Sequence, residues 1–105
     1  MIVRTWRGSA TGPGAAAYER HFKDRVVPQL ANLAGNRGAW LLRREERGRT
    51  ELVAITLWQS REAIRAFAGS DIAKAHVEPE ARTMLAAFDE IACHYEVVLK
   101  IERPA

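Results

Sequence analysis

One hundred and five residues, 48% hydrophobic and 28% charged, describe one soluble domain over 1–105 and exclude a disordered tail. Sixteen basic against thirteen acidic residues leave a net charge of +3, with the signs interspersed, as in "LLRREERGRTE" (41–51), so no basic stripe points to nucleic acid. A single cysteine, Cys93, excludes an internal disulfide, no apolar run approaches a membrane span, and "MIVRTWRG" lacks the apolar core of a signal peptide; a cytoplasmic protein is expected.

"IVRTWR" (2–7) alternates and is rich in strand formers, and "GSATGPG" (8–14) breaks it. Tyr18, Phe22, Val26, Leu30 and Leu33 then recur at helical spacing over 15–33, with Pro28 expected to kink or loosen the last turns. "AGNRG" (34–38) stops this helix. "AWLLRRE" (39–45) and "TELVAITLW" (50–58) read as two strands of a hairpin in which Gly48 suits the tight turn. Ser60 caps the next helix, whose buried side holds Ile64 and Phe67. Ser70 or Asp71 is expected to cap a short helix through Ala75 and His76, and Pro79 to start a further helical piece in "EARTMLAAF". "IACHYEVVLKI" (91–101) reads as a long last strand.

The order is β-α-β-β-α-(α)-β. It predicts an α+β, ferredoxin-like split βαβ arrangement, a four-stranded antiparallel sheet with helices on one face. Helices can cover only one face of that sheet, yet the third strand is apolar on both. Leu52, Ala54, Thr56 and Trp58 lie on one side, and Val53, Ile55 and Leu57 on the other. A second copy is the economical cover for the bare face, so a homodimer through the sheet faces is expected.

Period-2 parity puts Ile2, Arg4 and Trp6 on one face of the first strand, where they can meet Thr56 and Trp58; Trp40 joins only if the hairpin register allows. This corner reads either as bulky core or as the wall of a pocket for a flat organic molecule. Arg4, inside a sheet face, either pairs with a carboxylate or holds an anionic group such as an enolate. His76 suits a general base or, more plainly, eases a helix end. Tyr95 serves a ligand if it points inward. His21 reads as a helix-flank residue, and His94 lies opposite Tyr95 in strand parity. "RREER" (43–47) is a solvated hairpin tip and Cys93 an inert thiol. The histidines lack zinc spacing, so no metal site is expected.

"ITLWQSREAIRAFAGSD" resembles the strand–Trp–Ser–helix segment of the antibiotic biosynthesis monooxygenase superfamily, the dimeric α/β-barrel proteins. "MIVRTWRG", "YERHFKDRVVPQLANL", "GAWLLRRE" and "HYEVV" fit the same pattern, so the resemblance spans nearly the whole chain. It implies a dimer of ferredoxin-like subunits, with a cavity between sheet and helices lined by Trp58 from the strand end. It also implies three alternative functions. These are a cofactor-independent monooxygenase for a small aromatic or enolisable compound, a non-catalytic or stress-associated binding dimer, and a haem-binding or haem-degrading enzyme. Haem-degrading relatives pair an Asn on the first strand, the third-strand Trp and a following His. Here Trp58 matches the Trp, His76 lies near the His position, and Trp6 occupies the Asn position. The cofactor-free oxygenases carry an Asn that corresponds roughly to Ala54. The expectation is therefore His76 and Arg4 as catalytic groups, Trp58, Trp6, Thr56 and Tyr95 as substrate-binding groups, no cofactor, and no nucleic-acid or membrane partner.

Overall fold

A computed structural model describes residues 1–104. Strand β1 (Ile2–Ala10) leads into helix α1 (Gly14–His21), a π-helical turn (Phe22–Val26) and helix α2 (Val27–Ala31). Strands β2 (Asn36–Glu46) and β3 (Arg49–Trp58) precede helices α3 (Arg61–Ala68) and α4 (Pro79–Arg82), then strands β4 (Ala87–Phe88) and β5 (Cys93–Glu96). The sheet runs β2-β3-β1, with β4 and β5 both on the outer edge of β1. All pairings are antiparallel. This is the expected ferredoxin-like α+β fold.

Local chemistry accounts for the elements. Arg47 (φ 52°) and Gly48 (φ 78°) form the two-residue loop between paired Glu46 and Arg49, a left-handed turn that matches strand twist. The Ser60 hydroxyl accepts the N–H of Ala63 at 3.2 Å, capping α3, and Gly69 (φ 90°) ends it. Pro28 has no N–H to donate back to Asp24; the π turn slips the ladder by one residue, so Pro28 falls in the first turn of α2.

Three expected elements differ. The short helix through Ala75 and His76 is absent, because Asp71 Oδ1 accepts the Ala73 N–H at 3.2 Å in a side-chain turn and the chain then extends. The helix in "EARTMLAAF" stops at Arg82, and Ala87–Phe88 pair with Gly8 and Ser9 instead. The last strand is broken. Residues 90–92 leave β1 to meet the chain before α4, through Ala75 N–H to Glu90 O (2.9 Å) and Ala92 N–H to Ala73 O (2.8 Å). Strand pairing resumes at Cys93 and ends at Glu96, not at Ile101.

The register places Ile2 opposite Trp58, Arg4 opposite Thr56 and Trp6 opposite Ala54, all on the helix-covered face. There Trp6, Tyr18, Phe22, Leu52 and Ala81 pack as one cluster, and Ile2, Leu30, Trp58 and Ile64 as another. The other face carries Val3, Val53, Ile55, Leu57 and Tyr95, with Trp40 opposite Ile55 and Leu42 opposite Val53. No element among the described residues covers it; Trp40 and Leu42 are exposed. Trp40 therefore stands apart from the other two indoles. No helix among the described residues is long and apolar enough to cross a membrane.

Candidate functional site

The two core clusters meet at a cavity of about 40 Å³ between the sheet and the helices, lined by Arg4, Trp6, Tyr18, Phe22, Val26, Ala54, Thr56, Phe67 and His76. The sheet supplies its floor, the stripe on α1 and the π turn one wall, and α3 with the segment after it the other. Arg4 is the unusual member, since an arginine residue only 4% exposed has lost most of its hydration. Burial pulls its pKa down from the ordinary arginine value. No carboxylate of the described residues forms an ion pair with it.

Neutral acceptors hold Arg4 instead. Nη1 donates to the carbonyl of Ile72 and to Nε2 of His94 at 2.9 Å, and Nη2 donates to the carbonyl of Lys74 at 3.1 Å. Its carbon Cζ lies 6.0 Å from the centre of the Phe67 ring, within cation–π range. Of the five guanidinium N–H groups, Nε–H and one on Nη2 have no acceptor among the described residues. Burial, then the Arg4 charge, then Arg61 hold the His94 pKa below the ordinary imidazole value, so His94 stays neutral and accepts at Nε2.

Ile72 and Lys74 belong to a strap, Gly69–Glu78, whose His76 borders the cavity. Arg4 grips its middle. Its far end is clamped on α1, where the buried His21 ring lies 3.8 Å from Glu78 and 3.5 Å from Glu80. Arg25 flanks the same two carboxylates, at 3.9 and 3.5 Å. His21, read in the sequence as a helix-flank residue, is thus the anchor of this strap. Burial and the Glu78 charge push the Tyr18 pKa up to about 12, so its phenol remains a neutral hydroxyl at the cavity wall.

The expected site residues divide. Arg4, Trp6, Thr56 and His76 come together around the cavity. Trp58 does not line it. Its indole is fully buried among Ile2, Leu30 and Ile64, donates to the Thr56 hydroxyl at 2.8 Å, and backs the Phe67 ring at 5.8 Å. It fixes two lining residues from behind, because position 58 sits one pair beyond Thr56, at the strand end. Tyr95 lies opposite Val3 on the uncovered face, 56% exposed, so strand parity turns it away from the cavity. His76 ends no helix; it stands exposed at the cavity mouth with its ring edge-on to Phe67 at 4.7 Å.

Sequence reasoning missed Phe67, Tyr18 and Phe22 as lining residues and His94 as the acceptor for Arg4. The helical stripe announced Tyr18 and Phe22, and the buried side of the Ser60-capped helix Phe67, only as core, and only the parity of His94 against Tyr95 hinted at the fourth. A larger hollow of about 510 Å³ lies elsewhere, at the charged end of the uncovered face, among Arg7, Glu46, Arg49, Glu51 and Asp89. Its ion pairs are solvent-exposed, which leaves them weak and screened.

Among the described residues no three His, Cys, Asp or Glu side chains are grouped to hold a metal ion. The cavity residues do not fit a haem either. The Trp6 indole fills the sheet floor, wedged against Tyr18 at 5.8 Å and Phe88 at 6.3 Å, with its N–H donated to the Asp89 carbonyl at 2.8 Å. A porphyrin would have to displace that buried, hydrogen-bonded ring.

Solved structures share the fold at low identity. The heme-degrader MhuD of Mycobacterium tuberculosis, with two hemes bound in its active site, matches 97% of this chain and 100% of its own at 24% identity and TM-score 0.64. SnoaB of Streptomyces nogalater, a cofactor-independent oxygenase, matches 97% of this chain and 96% of its own at 20% identity and TM-score 0.61. A protein of unknown function from Nitrosomonas europaea matches 99% and 94% at 18% identity and TM-score 0.61. Comparison with curated proteins finds no match. The family model for antibiotic biosynthesis monooxygenase matches residues 1–79, which take in β1, the β2–β3 hairpin, α3 and the strap, and the chain belongs to that family.

Proposed function

We propose that this protein is a cofactor-independent monooxygenase that acts on a small, planar, weakly acidic aromatic or enolisable compound. One observation carries the reading: a buried guanidinium at the cavity, without a carboxylate partner and with two N–H donors unspent. Such a group favours any ligand that brings a negative oxygen. Family membership and the likeness to SnoaB support oxygen chemistry as the use of that site.

The chemistry needs little from the protein. Ground-state dioxygen reacts poorly with closed-shell molecules, but a stabilised carbanion supplies electrons itself. His76 at the cavity mouth takes the proton from the substrate carbon, and Arg4 holds the resulting enolate oxygen. The carbanion adds dioxygen to form a C–O bond, a proton gives the hydroperoxide, and loss of water leaves a carbonyl. One oxygen atom enters the product and the other leaves as water. Trp6, Phe67 and Phe22 keep the site dry, which strengthens each charged interaction.

At about 40 Å³ the cavity holds little more than a water or two, against roughly 300 Å³ or more for typical ligand sites. Entry therefore requires the strap to lift. The ligand oxygen then replaces the Ile72 and Lys74 carbonyls on Arg4. A tryptophan-fluorescence titration with an anthrone-like phenol tests this. Saturable quenching that Arg4→Met weakens at least tenfold supports the site; equal affinity in both proteins removes it.

The second reading is a non-catalytic binding dimer using the same cavity. It is favoured by Ala54, which stands opposite Trp6 and, by the family resemblance, corresponds roughly to the Asn of the cofactor-free oxygenases. Binding without oxygen uptake would select it. In either case the protein works as a homodimer through the uncovered sheet faces, whose apolar Val53, Ile55, Leu57, Trp40 and Leu42 have no cover among the described residues. Ile55→Asp places an unpaired carboxylate in that interface and should yield monomer by light scattering; a dimeric mutant would show that the contact lies elsewhere.

A further inference from the structure

Arg4 is not alone at the cavity in having a donor to spare. Tyr18 is only 6% exposed, and its hydroxyl has no hydrogen-bond partner among the described residues. No fully enclosed side-chain nitrogen or oxygen among those residues lacks a partner, so the Tyr18 hydroxyl is one that open space reaches. The space that Tyr18 borders is the cavity.

Its neighbours fix where that hydroxyl stands. The ring packs against Trp6 at 5.8 Å, His21 at 5.8 Å and Phe22 at 6.5 Å. A ring held in this way has lost its rotamer freedom before a ligand arrives, so a bond to it costs little further ordering. Glu78, whose charge bears on the phenol, bonds to Gln29 at 3.4 Å, lies against His21 and Arg25, and accepts nothing from Tyr18. With its pKa pushed up to about 12, the phenol keeps its proton and stays a donor through the neutral range.

Tyr18 and Arg4 serve opposite walls. Tyr18 stands on α1, whereas the Arg4 guanidinium is tied to the Ile72 and Lys74 carbonyls of the strap and lies 6.0 Å from the centre of the Phe67 ring. Between them the floor is Trp6, Ala54 and Thr56, and the Thr56 oxygen is already engaged by the Trp58 indole at 2.8 Å. No carboxylate or side-chain amide lines the cavity to compete for either donor. A flat molecule on this floor meets a cation at one end and a neutral hydroxyl at the other.

We infer that Tyr18 is a specificity-determining residue whose hydroxyl donates to a second oxygen of the substrate, so that the site selects planar compounds with oxygen functions at opposite ends. The inference rests on the reading of Arg4 as the holder of the anionic oxygen. The more acidic oxygen goes to Arg4, and the other, a carbonyl or hydroxyl, accepts from Tyr18. A compound with only the first oxygen buries the phenol unpaired, and a site built around a donor rejects such an analogue.

Calorimetric titration in the absence of oxygen, so that nothing turns over, compares 2-naphthol with 2,6-dihydroxynaphthalene, whose oxygens lie at opposite ends of the same flat ring system. The wild type should bind the diol tighter by about fivefold or more, beyond the factor of two that its equivalent ends allow. Tyr18→Phe removes only an unpartnered hydroxyl, so it should keep the melting temperature, bind 2-naphthol no more weakly, and bring the ratio down to that factor of two. Arg4→Met should weaken both ligands alike. A wild type without the preference, a ratio that survives Tyr18→Phe, or an equal loss of both ligands in Tyr18→Phe overturns the role of Tyr18 and leaves the anion at Arg4 standing. Equal affinities in the wild type and Arg4→Met overturn both readings, as does failure of the wild type to bind either naphthol.

Discussion

Arg4 and His94 stand opposite one another in the β1–β5 ladder, and the guanidinium donates to Nε2 of the imidazole at 2.9 Å. The bond requires a neutral His94. Burial and the neighbouring charges of Arg4 and Arg61 lower its pKa and supply that state. In the unfolded chain the imidazole regains its ordinary value of 6.5. The unfolded state then binds the proton more readily, so this contribution to stability is present above that value and is lost as the pH falls through the lower folded value. Thermal unfolding between pH 7.5 and 5 should show the melting temperature of the wild type falling more steeply than that of His94→Gln, which retains an acceptor but does not titrate. Parallel curves would show that the pair does not sense protons.

Removing Arg4 should free the strap before it unfolds the domain. Arg4→Met leaves the Ile72 and Lys74 carbonyls without their donor, at a cost of about 1–3 kcal/mol. The expected signature in hydrogen exchange is faster exchange at Ala75 and Ala92, whose N–H groups hold the strap to its neighbouring segment, with the β1–β3 ladder unchanged. Uniform acceleration across the sheet would make Arg4 a general core residue.

Helix α3 brings Phe67 to the cavity, and its seat depends on a missing side chain. A methyl group at Gly35 would lie 2.2 Å from the Ala63 Cβ, so Gly35→Ala must push α3 outward. Overpacking of this kind costs about 1–3 kcal/mol, which urea unfolding will read. A neutral result would mean that the loop before β2 yields without disturbing the helix.

The sheet face was legible from parity alone. Apolar residues on both sides of 52–58 and the alternation of 2–7 set Arg4, Trp6, Thr56 and Trp58 on one face, where the register puts them. Tyr95 illustrates the limit. Its strand was recognised but not its phase against β1, and one residue of phase separates the cavity from the uncovered face. Trp58 shows another limit, since parity fixes a face but not whether a bulky ring borders the space or backs its lining. The strap was illegible for a different reason. "AGSDIAKAHVEP" has helical composition, yet its middle is held by carbonyl bonds to Arg4, sixty-eight and seventy positions away in sequence. Local propensity carries no trace of such a partner.

Haemin tests the cavity from its other side. Trp6 is tied to Asp89 and packed by Tyr18 and Phe88, so added haemin should produce no saturable one-per-subunit Soret shift. Trp6→Asn, which restores the side chain found in haem-degrading relatives and opens the floor, should bind it more tightly. A stoichiometric Soret shift in the wild type, abolished by His76→Ala, would contradict this account.

The central claim is that the Arg4 cavity holds a substrate anion for reaction with dioxygen. Oxygen-electrode measurements with metal-free protein and an anthrone-like substrate test it most directly, with Arg4→Met and His76→Ala run beside the wild type. The account predicts one dioxygen consumed per carbonyl product without added metal or flavin, a rate lowered at least tenfold by Arg4→Met, and a shifted pH profile in His76→Ala. Uptake at the background rate, or uptake unaffected by Arg4→Met, would contradict it.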